Sequence, residues 1–132
     1  MANTIDLYEM LKDFLSDEGF KYTEEDFGLA FRYNELHFLF IKDEQDDQLF
    51  RLLLPGIYEK TEENELEVLR ACNDVTYGIK VVKVFVTQNN SVSCSFEILA
   101  DSTPVLNDFV PRAVRMLTLA RDQFYNIIEQ NN

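Results

Sequence analysis

His37 is the only histidine in the chain, so triad or proton-shuttling chemistry would have to run through it. No serine or cysteine nucleophile stands in a local motif with it, which leaves a triad unsupported, and its expected place is a surface or a sheet face. Glu35, His37 and Arg51 are distant polar residues from which a small enzyme or ligand-binding site could still be assembled, because sites converge in space rather than in sequence. Cys72 and Cys94 have neither CxxC spacing nor a histidine cluster, which argues against structural zinc. The run Asp43, Glu44, Asp46, Asp47 offers carboxylates to a hard cation but lacks the spaced oxygens and obligatory glycine of an EF-hand loop; a solvated turn is expected. No GxGxxG or GxxxxGK[ST] occurs, and four glycines give little material for a phosphate cradle. The sequence therefore nominates no catalytic residue, no metal ligand and no cofactor.

The composition narrows the choice of partners. With 24 acidic against 12 basic residues, a formal charge of −12 makes attraction to phosphate backbones or anionic lipid unfavourable, so nucleic acid and membrane insertion are set aside. A basic partner remains permitted. At 132 residues the chain reads as one domain over 1–132, able to bury about 68% of the surface its unfolded form exposes without disulfides. Both cysteines fall on apolar-periodic faces, where a free thiol behaves as a small buried hydrophobe. They read as reduced. The amino terminus shows no basic region before an apolar run, and a cytoplasmic protein is the simple reading.

The elements follow from the period of the apolar residues. Leu7, Leu11, Phe14 and Leu15 make the stripe of a first helix, with Asn3 or Thr4 available to cap it, Gly19 to end it, and Asp6, Glu9, Lys12 and Asp13 on a solvated side. From Phe27 the pattern turns extended: Phe27, Leu29, Phe31 and Tyr33 on one side, a turn at Asn34–Glu35, and a returning strand to Lys42. An acidic linker leads to a third strand, Leu49 to Leu54, which Pro55–Gly56 is expected to end. Thr61 is the expected N-cap of a second helix, with Glu62, Glu63 and Glu65 at the positive end of its macrodipole and Val68, Ala71, Cys72 and Val75 on its apolar face.

After Gly78 the period changes to two. Val82, Val84 and Val86 fall on one side of the next strand, with Val81 and Phe85 on the other; Val92, Cys94, Phe96 and Ile98 then alternate with Ser91, Ser93, Ser95 and Glu97. Asp108 is the expected cap of a last helix that tolerates Pro111 in its first turn and carries Val110, Ala113, Val114, Leu117, Ala120, Phe124 and Ile127. The order is α-β-β-β-α-β-β-α: an α+β fold with three helices and a five-stranded antiparallel sheet. Asn73, near the end of the second helix, is expected to bond freed carbonyls or cap the turn into the next strand.

Several strands carry apolar residues opposite their main row: Leu39 and Ile41, Leu49 and Leu53, Val81 and Phe85. At roughly 25 cal/mol per Å² of apolar area, leaving them in water forgoes several kcal/mol, so a helix of this chain or another chain must cover them. A split is expected, in which helices cover one face fully and the other in part, leaving an apolar remainder for a second copy or a partner.

Ala71-Cys72-Asn73, the step Tyr77-Gly78-Ile79-Lys80-Val81, the hairpin after it and the long terminal helix after Asp108 together resemble the YbjN family of bacterial sensory transduction regulators. That family often shows a second asparagine shortly after the one matching Asn73; Thr76 stands there in this chain. The family is similar in fold to the chaperones of type III secretion systems, which are small, acidic, dimeric proteins that hold an extended segment of a client. The resemblance implies a scaffold without enzymatic activity that binds protein partners. The expectation is thus a non-enzymatic module, chaperone-like or regulatory and homodimeric, that holds a basic or amphipathic protein segment on a sheet face or edge. Leu39, Ile41, Leu53, Val81 and Phe85 are its candidate contact residues. A ligand-binding domain or enzyme built around His37 is the alternative.

Overall fold

In the computed structural model, which describes residues 6–101 and 103–131, the first helical stripe becomes α1 (Leu7–Asp17), with Leu7, Leu11, Phe14 and Leu15 all buried. Asn3 and Thr4 lie outside the described residues. The cap is Asp6, whose carboxylate accepts the backbone N–H of Glu9 at 3.1 Å, rather than a member of the solvated side. Lys12 also leaves that side: its ammonium sits 3.0 Å from Glu24, which accepts the Tyr8 hydroxyl at 2.6 Å.

Six strands follow instead of five. They are β1 (Tyr22–Glu25), β2 (Gly28–Tyr33), β3 (Leu36–Ile41), β4 (Leu49–Glu59), β5 (Val82–Val86) and β6 (Ser91–Leu99), in the antiparallel order β1-β2-β3-β4-β6-β5. The additional strand, β1, is short and mostly exposed, and its sequence YTEE carries no apolar alternation by which periodicity could reveal it. Pairing with β2 defines it, and Phe27 falls in the turn between them. The expected turn at Asn34–Glu35 forms with both residues at positive φ, 51° and 67°, as a two-residue hairpin requires.

Pro55–Gly56 does not end its strand. β4 continues to Glu59 through a break in register between Leu54 and Tyr58, where Gly56 takes φ 65° and its N–H reaches the Ser93 hydroxyl at 3.3 Å. Proline without an N–H is tolerated there because a bulge suspends the ladder.

The helix starts also shift. α2 spans Glu65–Gly78, and its N-cap position is Asn64, not Thr61. Thr61 and Asn64 close a turn reciprocally, with the N–H of Thr61 bonded to the Asn64 side chain at 2.7 Å and the N–H of Asn64 to the Thr61 hydroxyl at 3.3 Å. α3 spans Leu106–Gln130, with Val105 at the N-cap position and Asp108 inside the first turn. Pro111 therefore sits in the second turn, and the helix forgoes the bond that residue 111 would have made to the carbonyl of Asn107. Near its far end Ile128, rather than Ile127, is the fully buried residue.

The core lies between the helices and one face of the sheet. Cross-strand partners place Leu29, Phe31, Phe38, Phe40, Leu52, Leu54, Cys94, Phe96, Val82 and Val84 on that face. Phe109 of α3 meets Phe50 edge-on at 5.0 Å between ring centroids, Phe124 meets Tyr58 at 5.4 Å, and the Tyr125 hydroxyl donates to the carbonyl of Ile57. α1 and α2 both pack against α3.

Candidate functional site

α1 and α2 both pack against α3, and α2 also meets the edge strand β5, so the helices gather over the core face. The expected partial cover of the second face is revised accordingly. The residues that alternate away from the core stand on the open side: Ala30, Leu39 and Ile41, then Leu49 and Leu53, and Phe85. Leu39 lies directly opposite Leu53 in the β3–β4 pairing, and both are half-buried by neighbours within the sheet. Leu99, opposite Leu49, is 71% exposed.

Val81 is not in a strand. It precedes β5 at φ 54°, a left-handed conformation rare for a β-branched side chain, and is 52% exposed. The alternation that placed it opposite Val82 missed this turn.

At the centre of the open face Glu97 ties three strands together. It lies opposite Arg51 and contacts it at 3.1 Å, meets Lys83 at 2.6 Å, and accepts the Ser95 hydroxyl at 2.9 Å. Partial burial pushes the Glu97 carboxyl up, but the bonds from Lys83, Ser95 and Arg51 together outweigh it and hold it below the usual carboxylate range. Ser93 and Ser95 are buried although no helix lies over them, which shows how closely the larger side chains flank them. Sequence reasoning missed this network. The signal was the alternation of Ser93, Ser95 and Glu97, which reads as a wet face until Arg51 is placed opposite.

The structure splits the polar residues of the alternative reading: Glu35 and His37 line one depression, and Arg51 does not. Arg51 is engaged by Glu97, whereas His37 lies opposite Arg32 in the β2–β3 pairing and is exposed. His37 borders two open depressions, one of about 310 Å³ with Lys21, Thr23 and Arg32, the other of about 220 Å³ with Glu35, Pro55 and Arg121. Neither is enclosed enough to exclude water from a reacting group.

The remaining candidates have structural work. Burial pushes the Cys72 thiol up to about 11, and burial with Cys72 nearby pushes Cys94 up to about 12, so both stay protonated and inert near neutral pH. In the acidic loop, Asp43 accepts the backbone N–H groups of Gln45 and Asp46 at 2.9 Å each, and Asp46 accepts that of Gln48 at 3.0 Å. These carboxylates hold the turn. Asn73 is exposed within α2, well before the C-terminal turn, and the C-cap is made by the N–H of Ile79 on the carbonyl of Val75. The capping expected of Asn73 is therefore corrected: one turn of helix separates it from the freed carbonyls. Thr76 makes the link to the next strand, accepting the N–H of Val84 at 2.9 Å and donating to its carbonyl at 3.3 Å.

Three helices thus lie on one face of a six-stranded antiparallel sheet, and the other face is open. The family model of YbjN, described as "Putative bacterial sensory transduction regulator", matches residues 7–129. The chain belongs to the YbjN family. Its fold is similar to that of the crystal structure of YbjN from E. coli, titled a "putative transcription regulator", at a TM-score of 0.65 and 14% identity over 92% of each chain. It is equally similar to an uncharacterized protein from Methanothermobacter thermautotrophicus, at a TM-score of 0.65 and 18% identity, covering 92% of this chain and 96% of that one. No curated protein sequence matches. No helix among the described residues is long and apolar enough to cross a membrane.

Proposed function

We propose that this protein is a non-enzymatic interaction module, regulatory or chaperone-like, that works as a homodimer and docks an amphipathic segment of a protein partner on the open face of its sheet. One observation carries the reading: Leu39, Ile41, Leu53 and Phe85 stand together on a face that no helix layer covers, around a charge network already satisfied within the chain. Apolar contacts can then provide binding energy without stranding Glu97.

The chemistry of the face favours an amphipathic partner over a basic one. Arg32, Arg51 and Lys83 stand here against Glu25, Glu59 and Glu97, so this side is balanced in charge and is not where the acidic excess of the chain lies. The face also suits docking better than the edges. Thr76 occupies both edge-facing backbone groups of Val84 on β5, and β1 is short and ends in two glutamates.

Capture from extracts of the native cell, comparing the wild-type chain with Leu53→Asp, tests the reading. A protein retained by the wild type and lost from a folded Leu53→Asp chain is expected. Equal capture by both would remove the sheet face as the docking surface.

A further inference from the structure

The outer side of α2 carries a second apolar stripe that nothing in the chain covers. Leu66, Leu69 and Tyr77 are 63%, 46% and 93% exposed. With Asn73 they recur at i, i+3, i+7 and i+11, which aligns them along the helix, while Val68, Ala71, Cys72 and Val75 face the core from the other side. A helix that only roofs a core needs one stripe. This one has two.

The charges beside the stripe indicate what covers it. Arg70 and Asp74 lie one turn apart along the same flank; Glu63 precedes the helix and Lys80 follows it. All four are exposed, and none is in an ion pair among the described residues. Two α2 helices laid antiparallel about a twofold axis between Ala71 and Cys72 bring Leu66 of each copy to Tyr77 of the other, with Asn73 beside the axis. The same operation brings Arg70 to Asp74 and Glu63 to Lys80, each pair made twice. A parallel arrangement, with the twofold axis along the helices, would put this flank of the two copies on opposite sides of the seam and leave Arg70 and Asp74 without each other. The pattern is complementary to itself, as a twofold interface requires.

We propose that the outer face of α2 is the homodimer interface, with the two helices antiparallel. This placement rests on the homodimer reading above and puts the second copy on the flank of the helix layer, so that both open sheet faces stay free for partners.

Sedimentation equilibrium of the full chain over a wide concentration range tests it. The wild type is expected to form a dimer, and Tyr77→Glu, at an almost fully exposed site, to be monomeric. Asp74→Arg alone should weaken association by about tenfold, and Arg70→Glu combined with Asp74→Arg should restore it, because only the antiparallel arrangement makes that swap complementary. A wild type that stays monomeric at every concentration, or a dimer that these variants leave unchanged, overturns the proposal. A dimer lost in Leu53→Asp but kept in Tyr77→Glu overturns it too, while leaving the homodimer itself intact and moving its interface to the sheet.

Discussion

The hydroxyl of Thr76 on α2 bonds both backbone groups that Val84 turns outward from β5, accepting from its N–H at 2.9 Å and donating to its carbonyl at 3.3 Å. One side chain thus joins the helix layer to the sheet and covers the middle of an edge that would otherwise be free to pair with another strand. Thr76→Val keeps the shape and removes the bonds. It is expected to cost on the order of 1 kcal/mol, roughly 3–5 °C in melting temperature, and to raise light scattering near the midpoint as the edge opens.

Glu97 makes stability depend on pH in a defined direction. Its carboxyl is held below its ordinary value of 4.5, so its contribution is complete above that value and is lost as pH falls through the lower folded value. Denaturant midpoints should therefore fall more steeply below about pH 4.5 in the wild type than in Glu97→Gln. At neutral pH the variant should be less stable by on the order of 1 kcal/mol, because Arg51 and Lys83 lose their shared partner.

Gly28 sits at φ +150°, where a methyl group would overlap the carbonyl oxygen of Phe40 on the neighbouring strand. Gly28→Ala is expected to destabilise by about 2 kcal/mol or more and to loosen β1 first, since β1 is held by β2 alone within the sheet. Hydrogen exchange resolved along the chain checks this: protection should drop at Tyr22–Glu25 before it drops in β4 or β6.

Cys72 and Cys94 are buried and protonated, so a thiol-directed reagent at pH 7 should modify them only as fast as the protein opens. Modification rates that rise with denaturant in step with global unfolding are expected. Rapid labelling of the folded chain would contradict the burial.

The periodicity of the apolar residues made the helix layer legible. Leu7, Leu11, Phe14 and Leu15, then Val68, Ala71, Cys72 and Val75, repeat at helical spacing and are all buried. The alternation of Leu36, Phe38 and Phe40 with Leu39 and Ile41 likewise separates the two faces of β3 correctly. What stayed hidden had no apolar signature. β1 is a polar strand defined by its neighbour, the bulge at Pro55–Gly56 looks like a strand end, and caps such as Asp6 depend on which of several adjacent polar residues takes the last non-helical position. The candidate surface was legible as a surplus of apolar residues across the pleat. Its ionic centre was not, because Arg51 and Glu97 are 46 positions apart and meet only through the β4–β6 register.

Strain at Val81, in the turn before β5, makes a further prediction about the fold. Val81→Gly should relieve the left-handed conformation and stabilise the chain by about 1 kcal/mol, read as a rise in melting temperature.

The most direct measurement of the central claim is site-specific photo-crosslinking in the native cell. A photoreactive side chain is placed at Leu53 on the open sheet face and, in a second strain, at the exposed Arg115 on α3. Crosslinks from position 53 to a defined protein partner, absent from position 115, are the predicted result. Crosslinks that appear equally from both positions, or from position 115 alone, would contradict a sheet face built to receive a partner.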